Sequence, residues 1–295
     1  MKKTIFTGAG VAIVTPFHSD MSVNYAKLAE LIEDQIARNT DAIVICGTTG
    51  ESPTLTPEEH AECIRFAIRQ TAGRIPVIAG TGSNDTMFAA ELSREAERAG
   101  ADALLMVTPY YNKTSQAGLI KHFTYVADRV HTPIILYNVP SRTGVNILPE
   151  TYQTLSRHEN IAAAKEANGD ISAVAKTVRL CGDGLAVYSG NDDQITAIMA
   201  LGGKGVISVL SNVAPEAAHD IAAAALAGNV AESARLQIEW LDLCNDLFVD
   251  VNPIPVKAAM NLMGLGVGPC RLPLCDPSEA KLSVLAETLR RHGLL

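Results

Sequence analysis

Eight times in succession along this chain, a short apolar run is followed by a longer segment with helical spacing. The runs are Gly10–Thr15, Ala42–Cys46, Pro76–Gly80, Ala103–Val107, Ile134–Tyr137, Ile161–Lys165, Ala186–Ser189 and Gly205–Ser208. They are almost unbroken by polar residues and often β-branched, as strands covered on both faces must be. Such strands need helices packed over them, and eight β-then-α units predict a (β/α)8 barrel. A doubly wound open sheet has the same local pattern and is the alternative. The count of eight and a length of 295 residues favour the closed form.

The helical segments between the runs are Tyr25–Arg38, Pro57–Thr71, Thr86–Arg98, Ala117–Val130, Pro149–His158, Ile171–Leu180, Asp193–Leu201 and Ala217–Leu226. Thr56-Pro57-Glu58-Glu59 offers an N-cap, a proline at the first helical position and acids in the first turn. Ser83-Asn84-Asp85 and Ser211-Asn212 offer further caps. Beyond the eighth unit the pattern is helical again: Val230–Leu247, Pro253–Leu262 and Pro277–Arg291, with a Gly264–Pro277 loop. The expected organisation is a catalytic barrel over residues 1–228 and a C-terminal helical region over 229–295, with no linker between them.

Hydrophobic residues make up 47% of the chain and charged residues 19%, which excludes a disordered polymer. The net charge of −8, with no basic cluster and 5% aromatic residues, argues against a nucleic-acid surface. No apolar stretch reaches membrane-spanning length, and Met1-Lys2-Lys3-Thr4 leads into no signal-peptide pattern. The six cysteines form no C-x-x-C and no zinc-ligand spacing. A cytoplasmic protein without a metal is the expectation.

Barrel enzymes build their sites at the C-terminal ends of the strands. The sixth run ends in an amine, Ile161-Ala162-Ala163-Ala164-Lys165. An apolar wall disfavours the charged form of a lysine, and a neutral amine forms Schiff bases with carbonyl compounds. The second run leads into Gly47-Thr48-Thr49-Gly50, whose hydroxyls and backbone N–H groups suit a carboxylate. Tyr137 and Tyr111 supply phenols for proton transfer, and Arg142 supplies a two-pronged clamp for a second carboxylate. Each residue also has a plainer reading. Lys165 could end its strand in water, Gly-Thr-Thr-Gly could be only a tight turn, Tyr110-Tyr111 could be packing, and Arg142 could be a loop arginine. Their arrival together at successive strand ends favours chemistry on a 2-oxo acid.

These motifs resemble those of the dihydrodipicolinate synthase (4-hydroxy-tetrahydrodipicolinate synthase) family, within the pyruvate-dependent class I aldolases. The matching segments are Gly47-Thr48-Thr49-Gly50-Glu51, Pro109-Tyr110-Tyr111-Asn112-Lys113, Tyr137-Asn138-Val139-Pro140-Ser141-Arg142-Thr143-Gly144 and Lys165-Glu166-Ala167. Ser189-Gly190, Gly202-Gly203-Lys204-Gly205-Val206-Ile207-Ser208 and Asn252-Pro253-Ile254-Pro255-Val256-Lys257 also match. The resemblance implies condensation of pyruvate with L-aspartate 4-semialdehyde on Lys165, without a cofactor, in lysine and diaminopimelate biosynthesis. It implies a proton relay of Tyr137, Thr48 and Tyr111, with Tyr111 reaching a neighbouring subunit's site. It places the pyruvate carboxylate on Thr48 and Thr49, the semialdehyde carboxylate on Arg142, and Ile207 and Gly190 beside pyruvate. It also implies a homotetramer built as two dimers. N-acetylneuraminate lyase and the 2-keto-3-deoxy-sugar-acid aldolases share the barrel, lysine and tyrosine and are the alternative. Thr48 and Arg142 speak against them, because a sugar chain needs no second cation.

Lysine-inhibited members bind lysine at positions matching Ser52, Pro53, Pro57, His60, Asn84, Phe88 and Tyr110 here. Ser52, His60, Asn84 and Tyr110 keep the pattern. Phe88 stands where a sensitive enzyme carries an acid, and Pro57 replaces a polar side chain, so the expectation is weak or absent inhibition. Taken singly, His60 reads as a helix-surface histidine.

Overall fold

The computed structural model describes residue 2 and residues 4–295; Met1 and Lys3, part of the amino-terminal stretch read above, lie outside the described residues. The strands are β1 (Gly8–Ala12), β2 (Ala42–Ile45), β3 (Val77–Gly80), β4 (Ala103–Val107), β5 (Ile134–Asn138), β6 (Ile161–Glu166), β7 (Ala186–Ser189) and β8 (Gly205–Ser208). The barrel helices are α1 (Tyr25–Ala37), α2 (Pro57–Thr71), α3 (Thr86–Ala99), α4 (Gln116–Ala127), α5 (Pro140–Thr143), α6 (Pro149–Leu155), α7 (Ile171–Cys181), α8 (Ile195–Ala200) and α9 (Pro215–Leu226). The C-terminal region adds α10 (Val230–Glu239), α11 (Leu241–Asp246), α12 (Ile254–Leu262) and α13 (Glu279–Arg291).

All eight strands pair in chain order, and β1 closes on β8 through Gly8↔Gly205, Ala9↔Val206, Gly10↔Ile207 and Val11↔Ser208. That seam makes the fold a TIM barrel and rules out the open sheet. It also requires glycine: a Cβ on Gly205 would lie 1.9 Å from the Gly8 carbonyl oxygen.

Period-two alternation sorts each strand between two cores. Val44, Ile78, Leu105, Ile135, Tyr137, Ala163, Tyr188 and Ile207 belong to the cluster inside the barrel. Their neighbours Ile43, Ala79, Leu104, Leu136, Ala164 and Val206 pack outward under the helices. Phe6 stacks on Tyr188 with ring centroids 4.4 Å apart, and the Tyr188 hydroxyl donates to the Phe6 carbonyl at 2.7 Å. This pair fills the N-terminal end of the barrel, opposite the strand ends that carry polar residues.

Several boundaries differ from the sequence reading for identifiable reasons. β1 stops at Ala12, short of Thr15, because Asn212 takes over the chain: its Oδ1 accepts from the Val14 N–H at 3.1 Å and its Nδ2 donates to the Ala12 carbonyl at 2.9 Å. Asn212 is therefore a brace for β1, and α9 starts at Pro215 with no side-chain cap from Ser211-Asn212. The expected helix over 230–247 breaks at Trp240, which closes α10 and opens α11. The Thr56 expectation stands, since Thr56 and Glu59 form a reciprocal capping box at the start of α2.

Candidate active site

Lys165 and Tyr137 are Cα partners across the β5–β6 ladder, so both side chains point into the barrel. Lys165 is 5% exposed, and its Nζ lies 4.3 Å from the centre of the Tyr137 ring. Burial brings the lysine pKa down to about 8; the charge of Asp192 opposes that fall and the charge of Arg142 adds to it. The same burial raises the Tyr137 pKa, against Arg142 and a hydrogen bond with Thr48. The apolar wall responsible is composed differently from the run that announced it. Ile161 and Ala164 face the outer core, and Ala163 is the β6 residue that shares the barrel interior with Tyr137.

These groups line a cavity of about 520 Å³ together with Thr48, Thr49, Arg142 and Gly190. Ala12, Val44 and Leu105 also line it. Below them the interior is filled down to the Phe6–Tyr188 stack. Gly190 has little choice of side chain, since a Cβ there would fall 2.8 Å from Ala167 Cβ and 3.2 Å from Lys165 Cε. Ile207 is fully buried in the barrel interior, and Val209 after it reaches the cavity wall.

Arg142 is carried on α5, a single helical turn in the segment between β5 and α6. Its construction is local: Pro140 starts the turn and Gly144, at φ +70°, ends it in the left-handed region that disfavours other residues. Thr108 Oγ1 donates to Thr143 Oγ1 at 3.0 Å and fastens α5 to the end of β4.

The Thr48-Thr49 loop is held from the far end of the chain. Glu51, left-handed at φ +55°, forms a buried ion pair with Lys257 of α12 at 2.8 Å. Lys257 also donates to the Thr15 and Pro269 carbonyls, and Glu51 Oε2 accepts from the Arg271 N–H. With every charge so partnered, the pair fixes the loop in place. Asn252 adds a direct contact, donating from Nδ2 to Thr49 Oγ1 at 3.0 Å.

Two buried carboxylates flank the lysine. Asp192 Oδ2 accepts from the Val209 and Leu210 N–H groups at 2.9 Å each, which ties the end of β7 to the end of β8. Burial raises its pKa, opposed by hydrogen bonds and by the Lys165 charge. Glu166 points away from the cavity, accepting from Tyr152 Oη at 3.0 Å and Asn138 Nδ2 at 2.9 Å, and burial pushes its pKa up to about 7. Neither was singled out in sequence. An acid directly after a candidate Schiff-base lysine was the available signal for Glu166.

Tyr111 is placed elsewhere. It is 91% exposed, adopts φ +67°, and lines none of its own chain's described site cavity. Ser52, His60 and Tyr110 line a second cavity of about 380 Å³ with Pro53, Pro57 and Phe88, next to Thr48 and Arg142. Asn84 lies apart, in a third cavity with Lys113 and His122. His60 is not the surface histidine expected: it is 6% exposed, its Nε2 lies 2.9 Å from the Gly80 carbonyl oxygen, and burial lowers its pKa.

Known proteins match the chain over its length. A family model described as the dihydrodipicolinate synthetase family matches residues 5–292. The 4-hydroxy-tetrahydrodipicolinate synthase of Lachnoclostridium phytofermentans is 58% identical over 292 residues, 99% of each chain. That of Acetivibrio thermocellus is 54% identical over 295 residues, 100% of each. A solved structure, the chloride-inhibited dihydrodipicolinate synthase of Acinetobacter baumannii complexed with pyruvate, is 43% identical with a TM-score of 0.97, covering 99% of this chain and 100% of that one.

Proposed function

The chain belongs to the dihydrodipicolinate synthetase family, and we propose that it condenses pyruvate with L-aspartate 4-semialdehyde through a Schiff base on Lys165. It is a lyase, a 4-hydroxy-tetrahydrodipicolinate synthase serving diaminopimelate and lysine biosynthesis. The observation that carries the site assignment is the Lys165 amine, buried at the cavity wall, with Nζ 4.3 Å from the Tyr137 ring centre and a pKa near 8.

The chemistry follows from that amine. Lys165 Nζ adds to the pyruvate ketone carbon, and loss of water leaves a protonated imine. The imine withdraws electrons from the methyl group, which gives up a proton to form an enamine. The enamine carbon bonds to the aldehyde carbon of the semialdehyde. The semialdehyde's own amine then attacks the imine carbon, releases Lys165 and closes the ring. The balance is one water lost for each 4-hydroxy-tetrahydrodipicolinate formed.

Thr48 and Thr49 are assigned to the pyruvate carboxylate, Gly190 to the space beside the imine, and Ile207 to the pyruvate side of the barrel. Tyr137 and Thr48 move protons, supported by their shared place in the lining of the Lys165 cavity. Arg142 at the rim takes the semialdehyde carboxylate. Tyr111, turned to solvent on its own chain, completes the relay of a second copy. That role requires at least a dimer, and a dimer of dimers is the assembly we assign. Catalysis belongs to the barrel of residues 1–228, with residues 229–295 bracing its mouth.

Incubation with pyruvate and borohydride tests the reading. A pyruvate-derived mass increment mapped to Lys165 supports it, and an unmodified Lys165 refutes it. Turnover with L-aspartate 4-semialdehyde against N-acetylneuraminate then separates the synthase from the sugar-acid aldolases. Faster cleavage of the sugar acid would overturn the choice of second substrate.

A further inference from the structure

Asn252 touches both carboxylate-binding groups at once. Its Nδ2 donates to Thr49 Oγ1 at 3.0 Å, and its backbone carbonyl accepts from Arg142 Nη2 at 3.2 Å. It is 5% exposed, lines the site cavity, and sits between the exposed Val251 and the buried start of α12. Its partners are 203 and 110 residues away in sequence. We infer that Asn252 is a positioning residue that sets the Thr49 hydroxyl and the Arg142 guanidinium from one point, so that the pockets for the two substrate carboxylates are aligned together.

The direction of the Thr49 bond matters. A hydroxyl has one hydrogen to give and lone pairs to receive. Because Asn252 donates into Thr49 Oγ1, the Thr49 hydrogen stays free for a substrate carboxylate. An acceptor in place of the amide nitrogen would take that hydrogen and leave the pyruvate carboxylate facing a lone pair. Asn252 Oδ1 is buried with no hydrogen-bond partner, so the amide gives up one acceptor's satisfaction in this arrangement. On the other side, the Asn252 carbonyl limits where the Arg142 side chain can swing. The guanidinium keeps its remaining N–H groups for an incoming carboxylate.

The role rests on the proposed condensation, and the experiment separates the two. Asn252→Asp keeps size and shape but turns the donor into an acceptor with a charge. Wild type, Asn252→Asp, Asn252→Ala, Thr49→Val and the double variant Asn252→Ala/Thr49→Val are compared by borohydride trapping on Lys165 and by steady-state kinetics. Asn252→Asp is expected to raise KM for pyruvate by about tenfold or more, while the backbone carbonyl that holds Arg142 stays in place. Asn252→Ala is expected to raise KM for pyruvate by about tenfold, and the double variant is expected to lose no more than Thr49→Val alone, because Asn252 acts through Thr49. A purely structural role would lower thermal stability in each variant and leave both KM values near wild type. If wild type traps pyruvate while Asn252→Asp keeps the pyruvate KM, or if the Asn252→Ala and Thr49→Val effects multiply, the positioning role is wrong. If wild type traps no pyruvate, the condensation itself fails and this role falls with it.

Discussion

Imine formation on Lys165 should depend on pH in a way that reports its burial. At pH 7, an amine with the ordinary value of 10.5 is neutral roughly three times in ten thousand, whereas at about 8 it is neutral about one time in ten. The reactive fraction therefore rises about 300-fold, equivalent to roughly 3 kcal/mol. Single-turnover reaction with pyruvate, quenched with borohydride and read as modified Lys165, measures this directly. The rate is expected to climb about tenfold per pH unit up to a level near the lysine pKa, and to flatten above it. Two variants should move that level in opposite directions. Asp192→Asn removes the charge that holds the lysine pKa up, so its plateau begins at lower pH. Arg142→Ala removes a charge that holds it down, so its plateau begins at higher pH. A wild-type rate still rising tenfold per unit beyond about pH 9.5 would mean an ordinary solvated amine, and the burial argument would be refuted.

The same burial has a stability cost of known sign. The unfolded chain binds the Lys165 proton more tightly than the folded one, so stability rises with pH between about 8 and 10.5 and is lowest below that window. Lys165→Met should therefore stabilise the protein at pH 7 by roughly 1–3 kcal/mol, with the gain shrinking toward pH 10 in denaturant titrations. Glu166 acts in the other direction: its folded pKa, near 7, lies above the ordinary 4.5, so its protonated form is favoured on folding and stability falls as pH rises through that window. Glu166→Gln should flatten this slope, and an unchanged slope would show that the Tyr152–Asn138 cage does not hold the acid as described. Arg142→Ala should weaken semialdehyde use far more than pyruvate imine formation; equal losses in both would count against the clamp. Lysine up to millimolar concentration should leave turnover unchanged, because Phe88 lines the second cavity where a charge partner for lysine would be needed. A sub-millimolar inhibition constant would contradict this.

What sequence could reveal here was set by distance along the chain. Lys165, Tyr137, Thr48 and Thr49 stand at or just beyond strand ends, and strand ends are legible once the eight-fold alternation is seen. The β5–β6 pairing of Tyr137 with Lys165 follows almost automatically from consecutive parallel strands. Asn252 is legible in sequence only as part of a motif, because no local pattern shows that it reaches Thr49 and Arg142. The burial of Asp192 and Glu166 is not legible in sequence, because an acid at a strand end is most often solvated and only packing shows these two to be enclosed. The break at Trp240 left no proline or glycine to announce it. Asn212 was read as a cap because caps are the local use of asparagine, while its bonds to β1 are long-range.

The Phe6–Tyr188 stack has a consequence for traffic. Among the described residues that end is filled by packed side chains, so the barrel is a well that opens at the rim where Arg142 stands. Substrates reach the lysine from that rim. Depth therefore imposes a queue. The smaller ketoacid has to descend and be captured before the longer aldehyde settles above it, and an aldehyde that arrives early corks the shaft. A crowded mouth and an idle amine would then coexist, so excess second substrate slows the enzyme most when the first is scarce.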